Sequence, residues 1–398
     1  MLPRRDALDR DRLHLFVAGP GPGEGLALAL PRPELGWIFV DGCKSNKNEY
    51  PLHEIWKDYR LDGEPTLGIV LTHPHKDHYE GMVRLIDLAS PRWLACVATH
   101  HQARAEVRAL RDDPVVQDYP GLLSGSVKDV LSRIQHEWDW NGTGRVLLRA
   151  GGSLPLGRTD VTIEVVAPDP DGTRAFFRDP DLAELLRARA NELSAVLHVR
   201  FGATRLVLGG DLPERDHGAG PRTGWTKVLL SCPGLPGSLV LKIPHHGSDG
   251  ARHPDMVKFG VAPGGACWVL TPFLGGRERP LPRFDRGRGV DALLDGINEV
   301  RLTSLPKGWT TKAPLDAVVP ISAIEPPPAI AVPGARFKSL AGLTKGKPLD
   351  AVWVFAVDDK NRRTALHRGD RALTIGPRAV PAAKPPQPTS APGRPRRR

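Results

Sequence analysis

Short apolar runs recur along this chain, and several stop abruptly at a histidine or an aspartate. "WIFV" stops at Asp41, "LVLGG" at Asp211, and "LVLKIP" at His245 and His246. The densest case follows "LGIVL", where "THPHKDH" places His73, His75, Asp77 and His78 within six positions. A lone surface histidine needs no explanation; four ligand-type side chains directly behind a buried strand do. Strand ends on one rim of a sheet converge in space although they lie far apart in sequence. Metal sites need that convergence, because about three to five ligands must surround each ion. Imidazoles and carboxylates together suit zinc, manganese or iron, and no cysteine belongs to the set, which argues against a thiolate structural zinc. Asp41 taken alone reads more simply as a turn former.

The remaining pattern predicts alternating short strands and helices. "LHLFVAG" (13–19), "LALAL" and "WIFVDG" read as strands, and "EIWKDYRLD" as a short helix. "TLGIVLTH" is a strand into the histidine cluster, "EGMVRLIDLA" the helix after it, and "WLACVATH" another strand. Residues 102–142 have helical spacing, clearest in "VKDVLSRIQHEW". Strands resume at "VTIEVVAP", "SAVLHVRFG", "TRLVLGGD", "LVLKIPHHG" and "ACWVLTPF", followed by the helix "VDALLDGI" and the strand "EVRLTS". Such a series predicts two sheets covered by helices. Residues 306–336 are proline-rich, and 351–375 read as a small β-hairpin unit.

Length and composition set outer bounds. A chain of 398 residues has room for one large domain or two, and 40% hydrophobic with 25% charged residues is the balance of a soluble globular protein. No apolar stretch approaches the roughly 18–20 residues of a membrane helix, and "MLPRRDALDRDRLHLFVAG" lacks a secretory apolar segment. A cytoplasmic location without membrane contact is expected. Cys43, Cys96, Cys232 and Cys267 form no C-x-x-C pair, so buried free thiols are expected. Of the net charge of +10, six units lie within 377–398, on Arg378, Lys384, Arg394, Arg396, Arg397 and Arg398, with no acid among them. That tail has too few apolar residues to offset its ordering entropy, and disorder is expected there.

Six motifs follow in order: the Gly-rich turn "GPGPGEG", "VDG" ending at Gly42, H-x-H-x-D-H at 73–78, N-x-x-S-x-V-L from Asn191 through Ser194 and Val196 to Leu197, "GD" at Asp211, and "HHGS" at 245–248. This ordered set resembles the metallo-β-lactamase fold from Leu13 to about Ser304, and most nearly the hydrolase domain of ComEC-type DNA-uptake proteins and their free-standing relatives. The resemblance implies an α/β fold, a four-layer αββα sandwich with metals on one rim, over residues 1–305. A Pro-rich linker and small β-hairpin extension (306–376) and the basic tail (377–398) would follow. By the same analogy His73 and His75 hold a first metal, Asp77 and His78 a second, and Asp211 bridges. One of His245 and His246 completes the second site, with His246 favoured because it precedes Gly247. Asp41 would brace the cluster by hydrogen bonds. Asn191 departs from the pattern, standing where many members carry another histidine. His198 lies inside a strand pattern, and His100, His101 and His136 would reach the site only if the chain folds back. An amide oxygen or water at Asn191 makes manganese as suitable as zinc, and a single-metal centre stays open beside a two-metal one.

Two ions roughly 3.5–4 Å apart lower the pKa of a bridging water and stabilise charge on the attacked and leaving oxygens. Asp77 would orient that hydroxide, and Lys242, Ser248 or an arginine of "GGRERPLPRFDRGR" (275–288) would neutralise a substrate phosphate. The expected activity is that of a metal-dependent phosphodiesterase or nuclease on DNA, RNA or a nucleotide. Hydrolysis of a lactone or thioester on the same fold, or a binding protein with a vestigial site, are the alternatives, and control by a partner protein is left open.

Overall fold

The computed structural model describes residues 8–32, 36–45, 48–97, 125–157, 160–177, 189–215, 223–235, 237–251, 266–273, 289–294, 300–304, 324–325, 348–368 and 372–375, with a few isolated positions. The apolar runs form strands: β1 (Leu13–Ala18), β2 (Gly25–Leu30), β3 (Gly36–Val40), β4 (Thr66–Leu71), β5 (Trp93–Cys96), β6 (Gly144–Leu147), β7 (Gly152–Ser153), β8 (Val161–Ala167), β9 (Val196–Phe201) and β10 (Thr204–Leu208). After these come β11 (Glu214–Arg215), β12 (Thr223–Gly224), β13 (Val240–Lys242), β14 (Cys267–Leu270), β15 (Val300–Leu302), β16 (Ile324–Glu325), β17 (Val352–Val357), β18 (Arg363–Arg368) and β19 (Leu373–Ile375).

Two large mixed sheets result. The first runs β18-β17-β1-β2-β3-β4-β5-β6 and the second β16-β19-β15-β14-β13-β10-β9-β8-β7, while β11 and β12 pair separately. Each sheet contains an antiparallel meander that turns into a parallel run. In the first, β1, β2 and β3 are antiparallel, and β3, β4, β5 and β6 are parallel. In the second, β8, β9 and β10 are antiparallel, and β10, β13, β14 and β15 are parallel. Asp41 and Asp211 therefore follow corresponding strands of the two sheets, as do His73 and His245–His246.

Three apolar layers separate four structural layers. Between the sheets lie Leu13, Leu15, Leu28 and Val70 against Ile163, Leu197, Leu206 and Val269. On the outer face of the first sheet, Phe16, Phe39, Ile69 and Leu94 meet Leu52, Leu85 and Ile134 from the helices Pro51–Tyr59, Met82–Ala89 and Gly125–Trp140. On the outer face of the second, Val207, Leu241 and Trp268 meet Trp225, Val228, Val290 and Leu293 from Trp225–Ser231 and Gly289–Leu294. Strands covered on both faces must be apolar at nearly every position, which is why they appear in the sequence as unbroken runs. Each fully buried Leu or Val contributes about 1.5–3 kcal/mol. The chain is an αββα sandwich.

The hairpin expected within residues 351–375 forms, and its strands pair into the large sheets. β17 lies antiparallel to β1 from Leu13↔Val357 to Ala18↔Val352, β18 continues that sheet, and β19 pairs with β15 in the other. The buried edge of β1 needs partners for its N–H and C=O groups, and β17 supplies them. The tail 377–398, the Arg-rich stretch 275–288 apart from Leu281, and most of 306–336 lie outside the described residues. None of the four cysteines is in a disulfide, and three of them are buried. Among the described residues no helix is long and apolar enough to cross a membrane.

Candidate metal centre

The first sheet supplies one half of the site. Asp41, just past β3, takes left-handed backbone (φ 62), which aspartate tolerates better than most residues, and its N–H donates to Val70 O. Its carboxylate accepts from the Thr72 N–H (2.7 Å) and hydroxyl and from His78 Nδ1 (2.7 Å). Past β4, the single turn Lys76–Tyr79 sets Asp77 and His78 on consecutive positions, and the Asp77 carbonyl accepts from the Glu24 N–H.

The second sheet supplies the other half. Gly210 (φ +50) sits so close to β9 that a Cβ there would lie 2.5 Å from Ala195 O and Ser194 Oγ, so the "GD" turn requires glycine. Asp211 N–H donates to Ser194 Oγ (2.7 Å), and that oxygen is 3.4 Å from His73 Nδ1. After β13, His245 (φ 45) and His246 (φ 50) both adopt left-handed backbone, at a cost of about 1–3 kcal/mol each. His246 Nδ1 meets Thr271 O at 2.8 Å and its ring stacks on Phe273, centroids 4.9 Å apart, which fixes where Nε2 points.

Asp77, His78, Asp211 and His246 each present one ligand atom, all within 4.8 Å of one another, and all four residues are buried. His246 Nε2 lies 2.9 Å from Asp77 Oδ2 and 3.5 Å from Asp211 Oδ2; His78 Nε2 lies 3.5 and 3.2 Å from the same two oxygens. His73 Nε2, His78 Nε2 and Asp211 Oδ1 are buried without a hydrogen bond among the described residues. Buried polar atoms are rarely left so, and a cluster of them between carboxylates fits a divalent cation.

Electrostatics agree with that fit. Burial opposes charge on His78, but Asp211, Asp77 and Asp41 outweigh it and hold the imidazolium well above its ordinary pKa. His246 is likewise raised, burial being overcome by Asp211, Asp77 and Glu24. Burial raises Asp77 and Asp211, yet the His78 charge dominates and both fall well below the usual carboxylate range. Burial and the charge of His78 keep His73 neutral, well below its ordinary value. The carboxylates thus demand positive charge at this point, which protons or a metal ion can meet.

The other residues singled out in the sequence are placed differently. His73 lies beside the cluster, its ring centroid 4.2 Å from that of His78, and half-buried His75 stands 5.1 Å from His73. His245 is not one of the four: its Nε2 is 2.8 Å from Asn191 Nδ2 and its Nδ1 is 2.7 Å from Ser248 Oγ. Asn191 therefore holds His245, and its buried Oδ1 has no hydrogen bond among the described residues. Half-buried Ser248 bonds that same ring. The reading of Lys242 as a phosphate contact is corrected. It is wholly buried on a central strand, with Nζ bonded to Glu24 and Gly210 O and 3.6 Å from Asp211 Oδ1, so it is not presented to a substrate. His198 is buried in β9 with Nδ1 3.6 Å from Glu164, and His136 is exposed on its helix; His100 and His101 lie outside the described residues.

Glu24 was not singled out. It bonds Lys242 and the Thr271 hydroxyl and lies 3.4 Å from His246 Nδ1. The available signal was its isolation: it is the only acid between Arg12 and Arg32, set in a Gly/Pro turn before an apolar run.

No family model and no curated protein matches this sequence. Solved structures do resemble it. A HARLDQ-motif mutant metallo-β-lactamase from Cronobacter sakazakii shares 16% identity over 52% of this chain, at a TM-score of 0.28. This chain covers 64% of that protein, under two thirds of its length. MEM-A1, a subclass B3 metallo-β-lactamase from a soil metagenome library, shares 14% over 62% of this chain and 83% of its own (TM-score 0.31). Zn(2+)-bound PqqB from Methylobacterium extorquens shares 12% over 63% and 75% (TM-score 0.30). At these identities and scores the likeness says nothing of substrate or activity.

Proposed function

We propose that this chain is a divalent-metal-dependent phosphodiesterase acting on nucleic acid or a nucleotide. The observation that carries the metal is the convergence of Asp77, His78, Asp211 and His246 within 4.8 Å, beside unpartnered, buried His73 Nε2. These residues would hold the ion, zinc or manganese, with His73 and His75 next to it for a second. A bound ion supplies Lewis acidity and a water of lowered pKa. Asp41 and Thr271 O hold His78 and His246 by their Nδ1 atoms and leave each Nε2 facing the carboxylates. Burial of all four groups excludes bulk water and strengthens their fields. His75 and His245, half-buried at the rim, are where a substrate reaches the centre. The nucleic-acid reading is supported by the ordered motifs shared with ComEC-type hydrolases and by the six cationic residues of 377–398.

Protein stripped with EDTA and reloaded with Mn2+ or Zn2+ should bind metal and turn over bis-p-nitrophenyl phosphate, then be compared on DNA, RNA and cyclic nucleotides. Metal uptake without any phosphodiester turnover would move the assignment to another hydrolysed bond, such as a lactone or thioester. No uptake would mean a binding protein.

A further inference from the structure

Lys242, on β13 of the second sheet, and Glu24, in the turn just before β2 of the first, are 218 positions apart, yet they form a fully buried ion pair directly behind the metal centre. Glu24, Asp41 and His78 bring one ligand-type atom each within 4.8 Å, a second acidic cluster next to the first. The cation already present there is Lys242: its Nζ bonds Glu24 and Gly210 O. The same ammonium is 3.6 Å from Asp211 Oδ1, and Asp211 Oδ2 is within 3.2–3.5 Å of His78 and His246. Asp211 is thus shared between a fixed monocation and the ion site. Glu24 also reaches the front of the centre, 3.4 Å from His246 Nδ1 through a carboxylate that accepts from Thr271.

We propose that Glu24 and Lys242 are an electrostatic regulator of the metal centre, with Lys242 acting as the resident cation of the second acidic cluster and weakening divalent-ion binding through Asp211 while Glu24 strengthens it. This rests on the metal reading above. The physical reason is distance and burial: charges a few ångströms from an ion and sheltered from water are poorly screened, so each alters its affinity with a sign set by its own charge. A pair that served only to join the two sheets would behave otherwise, since loss of either partner leaves the other buried and unpaired and loosens the site both ways.

The experiment uses the full chain stripped of metal, with Mn2+ and Zn2+ as probes in calorimetric titrations at one pH. Glu24→Gln should weaken binding about tenfold or more, Lys242→Met should tighten it by a similar factor, and Glu24→Gln with Lys242→Met should return near wild type, each tenfold being about 1.4 kcal/mol. Weaker binding in both single variants, or no change in either, overturns the proposal. If Lys242→Met does not fold, the double variant is compared with Glu24→Gln: tighter binding in the double variant supports the regulator and equal or weaker binding overturns it. Absence of metal binding in the wild type would instead overturn the functional reading itself.

Discussion

Asp41 Oδ2 lies 2.7 Å from Nδ1 of His78, and this bond turns the opposite ring nitrogen toward Asp77 and Asp211. A carboxylate behind a ligating imidazole fixes its orientation and raises its basicity. Asparagine tolerates the left-handed backbone of position 41 and is isosteric, so Asp41→Asn removes the charge with little backbone cost. Metal affinity should fall by about 10–100-fold with the fold intact. Titration of stripped protein, with circular dichroism as the folding check, measures both; unaltered affinity would remove Asp41 from the centre.

The two adjacent histidines of "HHGS" should separate cleanly. His246 Nε2 points at Asp77 and Asp211, whereas His245 is held by Asn191 and Ser248. His246→Ala should abolish tight metal binding, costing about 100-fold or more as a lost ligand exceeds the cost of a lost supporting bond. His245→Ala should leave binding within a few-fold of wild type and affect substrate turnover instead. Equal losses of metal in both variants would show that the pair ligates jointly.

How much of this was visible in the sequence depends on how local the cause is. That Asp77, His78, Asp211 and His246 would come together was legible because a buried strand has no local reason to end in ligand-type residues. His246 was favoured over His245 only for its place before Gly247; what orients its ring, two consecutive left-handed residues and Thr271 O 25 positions away, is not visible in the sequence. Lys242 was misread for the same reason. Nothing near it in sequence reveals that its partner is Glu24, in the turn before β2 of the other sheet. The hairpin of β17 and β18 was legible as a hairpin, while its docking on β1 was not, because apolar strands carry little information about which edge they join.

Acidity should act on the stripped protein and on metal loading in opposite senses. His78 and His246 have folded pKa values above the unfolded 6.5, burial being outweighed by the carboxylates. Their stabilising contribution is therefore complete below about 6.5 and lost as pH rises through the folded values. Asp77 and Asp211 contribute above their unfolded 3.8 and lose that contribution as pH falls through their depressed values. An incoming ion displaces the imidazole protons, so apparent metal affinity should rise with pH, with about one to two protons released per ion near neutrality. Calorimetry in two buffers of different ionisation enthalpy counts those protons. Zero release near pH 6.5 would mean that the ion does not bind at His78 and His246.

Substrate class is tested by the basic tail. Residues 377–398 carry six positive charges and no negative one, a composition that favours polyanions. Each phosphate neutralised releases condensed counterions and steepens the salt dependence of binding by about 0.9 log units on duplex DNA and about 0.7 on single strands. If three or four of the six charges engage at once, truncation after Gly376 should flatten the slope by about 2–4 units. The metal centre is drawn from residues 41–246, so turnover of bis-p-nitrophenyl phosphate should be unchanged in the truncated protein. Matching salt slopes for the full and truncated chains on one oligonucleotide would remove the tail from nucleic-acid binding. A loss of small-substrate turnover on truncation would mean instead that the tail supports the sandwich, whose last described strand, β19, ends at Ile375.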